Sequence, residues 1–155
     1  MSAAKIAVMK GIKKWLTIAP FGKPIKLPSS RFLVAFKTPR TDLHFAPDHM
    51  TQKVVSDHYK KEHNVHLRFI FDLTNTDRYY EFKCDGEPKV EHFKMSCAGK
   101  ELPSEEYMKE FMATMEKCEE AMDEKDVIGI HCTHGVNRTG YLVVYYLCKK
   151  YDIPL

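Results

Sequence analysis

Phe32, Val34 and Phe36 alternate with smaller or polar neighbours between Arg31 and Lys37, and this period of two predicts a strand. Residues 51–63 bring Val54, Val55, His58 and Tyr59 to one side, which predicts a helix. Val65 to Leu73 is an apolar strand in prediction, closed by the turn Thr74-Asn75-Thr76-Asp77. Lys89 to Met95 alternates weakly and predicts another strand. Pro103-Ser104-Glu105-Glu106 is a helix start, because Ser can cap it and acids complement its positive end. Met108, Phe111, Met112, Met115 and Met122 follow at helical spacing and read as core. Val127 to His131 predicts a short buried strand. From Thr139 onward the chain is apolar nearly all round (Tyr141 to Leu147), so a buried helix is expected. Residues 20–30 and the stretch bracketed by Pro39 and Pro47 predict loops. Strands and helices alternate in the second half, so the expected fold class is α/β, a layered sheet with helices.

Composition sets outer bounds. The chain has 155 residues, 44% apolar and 12% aromatic, which suits one domain with a core and excludes a disordered tail. It contains no run of 18 apolar residues and no continuous apolar leader segment, so neither a membrane span nor a signal peptide is expected. The net charge of +3 is unevenly spread: residues 1–41 carry nine Lys/Arg and no acid, and the other 15 basic and 21 acidic residues leave the rest at −6. The expected organisation is a basic N-terminal arm, 1–14, before a domain from 15 to 155. That arm reads equally as a footprint for a polyanion or as a solvated lead segment. Its acid-free, amphipathic start, Ala4 to Lys10, is also compatible with a mitochondrial presequence, although it lacks Arg. The five cysteines (Cys84, Cys97, Cys118, Cys132 and Cys148) are odd in number and follow no disulfide framework, which suits a reducing compartment, nucleus or cytoplasm. His58, His63 and His66 do not share one helical face, and no cysteine pair has zinc spacing, so no metal and no cofactor is expected.

The candidate chemistry lies at His131-Cys132-Thr133-His134-Gly135-Val136-Asn137-Arg138-Thr139, between the last expected strand and the last expected helix. Such a loop gathers backbone N–H groups at a helix N-terminus, a concavity for phosphate oxygens. Cys132 at its base should be largely thiolate, since helix N-termini and nearby cations lower thiol pKa. A thiolate there can attack phosphorus in line. Arg138 offers a planar fork to two phosphate oxygens. Gly135 lets the backbone turn near the ligand. Thr139 can donate its hydroxyl to the sulfur, and His131 is expected to fix the loop through hydrogen bonds.

A Cys and an Arg separated by five residues, with His before and Thr-Gly after, form the signature of the cysteine phosphatases. The loop resembles more narrowly the RNA 5′-triphosphatase branch of the dual-specificity-like phosphatases. That branch includes the triphosphatase domain of mRNA capping enzymes, the baculovirus RNA phosphatase and the RNA/ribonucleoprotein-interacting phosphatases. Trp15 with Gly22 is similar to the opening of that family. Arg31 to Pro39 resembles its first strand, and Asp72 to Tyr80 its internal motif. The resemblance implies a central, mainly parallel sheet flanked by helices, and RNA 5′ ends as substrate, with a phosphoprotein as the alternative. Relatives continue for several helices beyond the last one here, so the domain reads as C-terminally short, and a weakly active binding module is a third reading.

Leaving-group chemistry bears on the choice. A phenol has a pKa of about 10, so phosphotyrosine hydrolysis calls for a general acid, usually an Asp on a loop before a helix. The corresponding loop, Ser96 to Pro103, has no Asp, although Glu101 is a substitute. A polyphosphate leaving group, with a second pKa of about 6, needs little protonation. Lys37, Arg78 and Lys100 are candidate contacts to outer phosphates or to the RNA backbone. Asp72 is expected to orient loops rather than to act as the acid. Tyr79 and Tyr80 read as core or as stacking partners for a base. Cys97, on the substrate side, is a candidate for a protective disulfide with Cys132.

Overall fold

The computed structural model describes residues 1–43, 50–83 and 89–154. Pro47 and Cys84 lie outside those residues. Among the described residues the chain runs α1 (Ala3–Thr17), β1 (Ile25–Lys26), β2 (Phe32–Lys37), α2 (Gln52–His63), β3 (His66–Asp72), β4 (Glu91–Lys94), α3 (Glu105–Ala121), β5 (Asp126–Cys132) and α4 (Asn137–Tyr151). The sheet has the order β1-β2-β5-β3-β4. Among the described strands, β1 pairs with β2 antiparallel, and β2–β5, β5–β3 and β3–β4 are parallel. All seven residues of β5 are buried, as expected of a central parallel strand covered on both faces.

Side-chain alternation, reset by an irregularity in register between Leu67 and Phe69, sorts β3 between two cores. Phe69 and Phe71 face a cluster with Phe111 and Met115 of α3 and Leu142 and Tyr146 of α4. Leu67 and Ile70 face the other cluster, with Val34 and Phe36 of β2, Tyr59 of α2 and Trp15 of α1. The expected Met stripe lies in the first cluster, with Met108, Met115 and Met122 buried. Ser104 caps α3 by accepting from the Tyr107 N–H at 3.1 Å.

Three expectations need adjustment. The loop at 20–30 contains the two-residue strand β1, and Phe21 forms a bridge with Phe36. Val54 is exposed, while Val55 and Tyr59 carry the packing of α2. The helix expected to be buried, and apolar on most sides, begins at Asn137 and is buried along one side. Thr139, Leu142, Val143 and Tyr146 are buried, whereas Tyr141 and Val144 are 44% and 42% exposed. The sheet covers one flank of α4, and the described chain lays nothing over the other.

The basic segment is a helix, and the expected boundary after residue 14 falls inside it. Trp15 near its end is buried, and its Nε1 donates to the Thr38 carbonyl at 3.0 Å. Lys37 donates its Nζ to the carbonyls of Trp15 and Ile18, at 2.8 and 3.0 Å, and sits 3.9 Å over the indole ring. A cation there satisfies the orphan carbonyls at the negative end of α1. Trp15→Ala is expected to release α1 from the body. Limited trypsin digestion should cut at Lys10, Lys13 and Lys14 faster than in the wild type, with melting temperature lowered as for other buried Trp truncations, which cost about 3–5 kcal/mol; an unchanged cleavage rate would refute the anchoring role.

Candidate active site

β2, β5 and β3 end level with one another: Lys37 pairs with Cys132, and Asp72 with His131. The chain therefore leaves β5 at a common carboxyl edge, where open α/β sheets place their ligands. Further hydrogen bonds clamp the exit. Thr38 N–H donates to the Thr133 carbonyl at 3.2 Å, and Leu73 N–H donates to the His131 carbonyl at 2.8 Å. Gly135 takes φ +72°, and a Cβ there would stand 2.3 Å from the Phe36 carbonyl oxygen. Only glycine fits that combination of left-handed backbone and close approach. Val136 is the N-cap of α4, and no side chain caps its first turn.

Cys132 is 2% exposed. Burial alone would raise its pKa. The Thr139 hydroxyl and N–H, the Arg138 charge and the Gly135 N–H outweigh that effect, so the thiol is held below its ordinary value of 9.0. The Thr139 hydroxyl is itself buried, and among the described residues no group meets it at hydrogen-bond geometry, so its proton is free to turn toward the sulfur. Arg138 joins three loops. Its Nη1 donates to the carbonyls of Cys97 (2.8 Å) and Leu73 (3.3 Å), and its Nη2 to Thr133 Oγ1 (3.1 Å). The loop before α3 is thus tied to the cysteine loop through one guanidinium. Cys97 is buried, and burial pushes its thiol above the usual value.

Beneath the loop is a polar network. Asp72 is buried and accepts from Thr74 N–H at 3.0 Å, from Lys94 Nζ at 3.2 Å and from His92 Nε2 at 3.2 Å. Burial opposes its charge, but His92, His131, Thr74 and Lys94 together hold its pKa well below the carboxylate range. Its oxygens are fully engaged, which is the arrangement of an orienting anion rather than a proton donor. His131 is fully buried and shares a 2.8 Å hydrogen bond with Tyr80 Oη. Burial brings its pKa down to about 4, so the imidazole is neutral at physiological pH.

Of the candidate substrate contacts, Arg78 lines a pocket of about 330 Å³ above Arg138, together with Arg40, Tyr79, Thr133 and His134, and α1 forms the opposite wall. Burial and the nearby charges of Lys14, Arg138 and Arg40 lower the pKa of His134, against the opposing pull of the Gly11 carbonyl. Lys100 is exposed on the turn after Gly99. Asn137 and Val136 are exposed at the loop rim. Lys37 is buried, with its ammonium donating to the Trp15 and Ile18 carbonyls at the end of α1. Arg40, His92 and Lys94 were not singled out from sequence. The pairing of Lys94 with Asp72 across β3 and β4 is the signal that could have found two of them. Among the described residues, no cluster of His, Cys, Asp or Glu could hold a metal ion, and no helix is long and apolar enough to cross a membrane.

Residues 50–155 match the family described as "Dual specificity phosphatase, catalytic domain". The chain is 33% identical over 143 residues to an mRNA-capping enzyme of Mus musculus, covering 90% of this chain and 23% of that protein. It is 34% identical to an RNA/RNP complex-1-interacting phosphatase of Homo sapiens, covering 87% of this chain and 41% of that protein. It is 32% identical to a probable tyrosine-protein phosphatase of Caenorhabditis elegans, covering 89% and 39% respectively. The chain thus spans well under half the length of these relatives. It belongs to the dual specificity phosphatase catalytic-domain family.

Two measurements probe the electrostatics. The rate of Cys132 alkylation by iodoacetamide should rise with pH around a midpoint below 9.0, and Thr139→Val should move that midpoint upward; an unmoved midpoint removes the hydroxyl from the account. The unfolded chain protonates His131 near its ordinary pKa of 6.5 and the folded chain only near 4. The folded state therefore binds fewer protons in that window, and stability falls as pH drops through it, by on the order of 3 kcal/mol when complete. Asp72, whose folded pKa is depressed, adds a loss at still lower pH. Urea titrations between about pH 7 and about pH 4 should show this slope, and His131→Gln should flatten it.

Proposed function

We propose that this dual specificity phosphatase domain removes 5′ phosphates from tri- or diphosphorylated RNA through a phosphocysteine at Cys132. The supporting observation is a pocket with three guanidiniums, Arg40, Arg78 and Arg138, and no carboxylate among its described lining residues. Asp42 neutralises Arg40 at 2.5 Å, which leaves Arg78 and Arg138 for an anion. Such a site suits a leaving group that departs unprotonated. The names of two relatives, an mRNA-capping enzyme and an RNA/RNP complex-1-interacting phosphatase, point to the same substrate class. Apart from Lys37 and Arg40, whose charges are engaged within the fold, residues 1–41 carry seven Lys/Arg and no acid, which favours a polyanion. The setting proposed is the nucleus or cytoplasm, where RNA 5′ ends meet reduced thiols.

In the first step the Cys132 thiolate attacks the terminal phosphorus. The S–P bond forms as the bond to the bridging oxygen breaks, and the electron pair leaves on the diphosphate end of the RNA. Arg138 turns its fork from backbone carbonyls to two oxygens of the transferring phosphoryl group, stabilising charge that grows in the transition state. Thr133 to Asn137 supply loop amides to the same oxygens. In the second step water attacks phosphorus, the S–P bond breaks with its electron pair returning to sulfur, the water's protons leave on the released inorganic phosphate, and the Thr139 hydroxyl steadies the departing thiolate. His131 and Asp72 hold the floor of the loop and exchange no proton with substrate.

The protein phosphatase reading is favoured by the name of the Caenorhabditis elegans relative and is decided by substrate. Phosphate release from 5′-triphosphate RNA should exceed release from a phosphotyrosine peptide. Cys132→Ser should abolish it, and Arg138→Lys, which keeps the charge but loses the fork, should slow it about 10²–10³-fold. Preference for the peptide overturns the RNA reading. Binding without release from either substrate marks a binding module.

A further inference from the structure

α1 is seated against the active site rather than beside it. Val8, Gly11 and Ile12 line the pocket whose floor holds Thr133, His134 and Arg138. The facing wall is the Arg78–Tyr79 turn. The two walls are braced by Arg40, whose guanidinium lies 4.5 Å from the Tyr79 ring centre and 6.0 Å from that of Trp15. Thr41 N–H donates to the Tyr79 carbonyl at 2.9 Å and holds the turn in place. The slot is therefore built into the fold, and its width is set by packed groups.

Gly11 is the unexplained residue in this slot. It lies inside α1, where glycine costs about 1 kcal/mol relative to alanine. Its backbone is not left-handed, and a Cβ there would meet nothing within 4 Å. Neither conformation nor packing calls for glycine. What glycine does provide is width in the pocket that Gly11 lines together with Tyr79, Thr133 and His134. Val8, beside it, is 49% exposed. The slot thus has an apolar wall, an aromatic and cationic wall, and an anion-binding floor. A volume of about 330 Å³ is at the small end of ligand pockets, which run to about 1,000 Å³. One nucleoside joined to its phosphates has this make-up: a flat, largely apolar base, a polar sugar and a charged end.

We propose that the slot between α1 and the Arg78–Tyr79 turn holds the first nucleoside of a phosphorylated RNA 5′ end, with Gly11 as the residue that keeps it open. The inference rests on the RNA reading of the site. α1 becomes a specificity element: its apolar face meets the leading nucleoside, while Lys10, Lys13 and Lys14 offer charge to the nucleotides that follow. A free polyphosphate has the same charged end and no nucleoside, so it uses the floor alone.

The test uses the whole chain and the variants Gly11→Ala and Gly11→Leu. Both replace glycine with a better helix former, so melting temperature should hold or rise. The KM for 5′-triphosphate RNA should increase in Gly11→Leu by about tenfold or more, the scale on which a few methylene groups change pocket affinity, with a smaller increase in Gly11→Ala. The inhibition constant of inorganic tripolyphosphate should stay within about twofold of wild type, since overfilling the slot leaves the phosphate contacts alone. An unchanged RNA KM overturns the inference and leaves the RNA reading standing. So does an equal loss for tripolyphosphate, which would put Gly11 in the phosphate site. Wild-type activity on a phosphotyrosine peptide without activity on RNA sinks the RNA reading and this inference with it.

Discussion

A parallel strand buried on both faces has no water to satisfy its backbone, so every N–H and C=O must find a partner in the sheet. β5 finds them in β2 and β3, and the position of the active site follows from that pairing. Cys132 is the last residue of β5, and it emerges where Lys37 and Asp72 end the flanking strands. The close approach of Gly135 to the Phe36 carbonyl then folds the loop back over the end of β2. A shift of one residue in either register would turn Cys132 away from the edge and put Asp72 out of reach of the loop.

Charge is managed in two layers around that exit. Below the loop, Asp72 is a buried anion compensated by Lys94, by His92 and by the hydroxyl and amide of Thr74. A buried carboxylate is tolerated only with such partners. Above it, a buried thiol is favoured as thiolate by amides, a hydroxyl and Arg138. His131, buried and neutral, stands between the two layers, directly before Cys132 in the chain and 3.8 Å from Asp72.

Glu119 ties the far side of the fold together in a similar way. Its buried carboxylate accepts from Ser29, Tyr146 and Tyr151, which joins α3, α4 and the turn after β1. α4 is held by this contact at one end and by the cysteine loop at the other, although one of its flanks stays open to solvent. The helix that carries Arg138 is thus positioned by polar contacts at its ends as well as by Leu142 and Tyr146 in the core.

Local pattern was enough to make much of this legible. The alternation in Phe32–Phe36, the apolar run ending at Asp72, the Ser104 cap and the Met stripe each report a face or an end of one element, because the period of a side-chain pattern is a property of a single strand or helix. The cysteine loop was readable for the same reason: nucleophile, glycine and arginine lie within one strand-to-helix turn. Lys37 could not be placed, since its partners are carbonyls at the end of a helix some twenty residues away. Arg40, His92 and Lys94 acquire meaning only when β2, β3 and β4 are set side by side. The basic segment was visible as charge, but its becoming the wall of the pocket depends on where Trp15 is buried. Sequence by itself indicated most of the elements, though not α1 or β1, and marked the candidate loop, through short-range periodicity and local chemistry. Tertiary structure alone decided which distant cations line the pocket at the cysteine loop and which cap a helix, because those positions arise from contacts that no local pattern encodes.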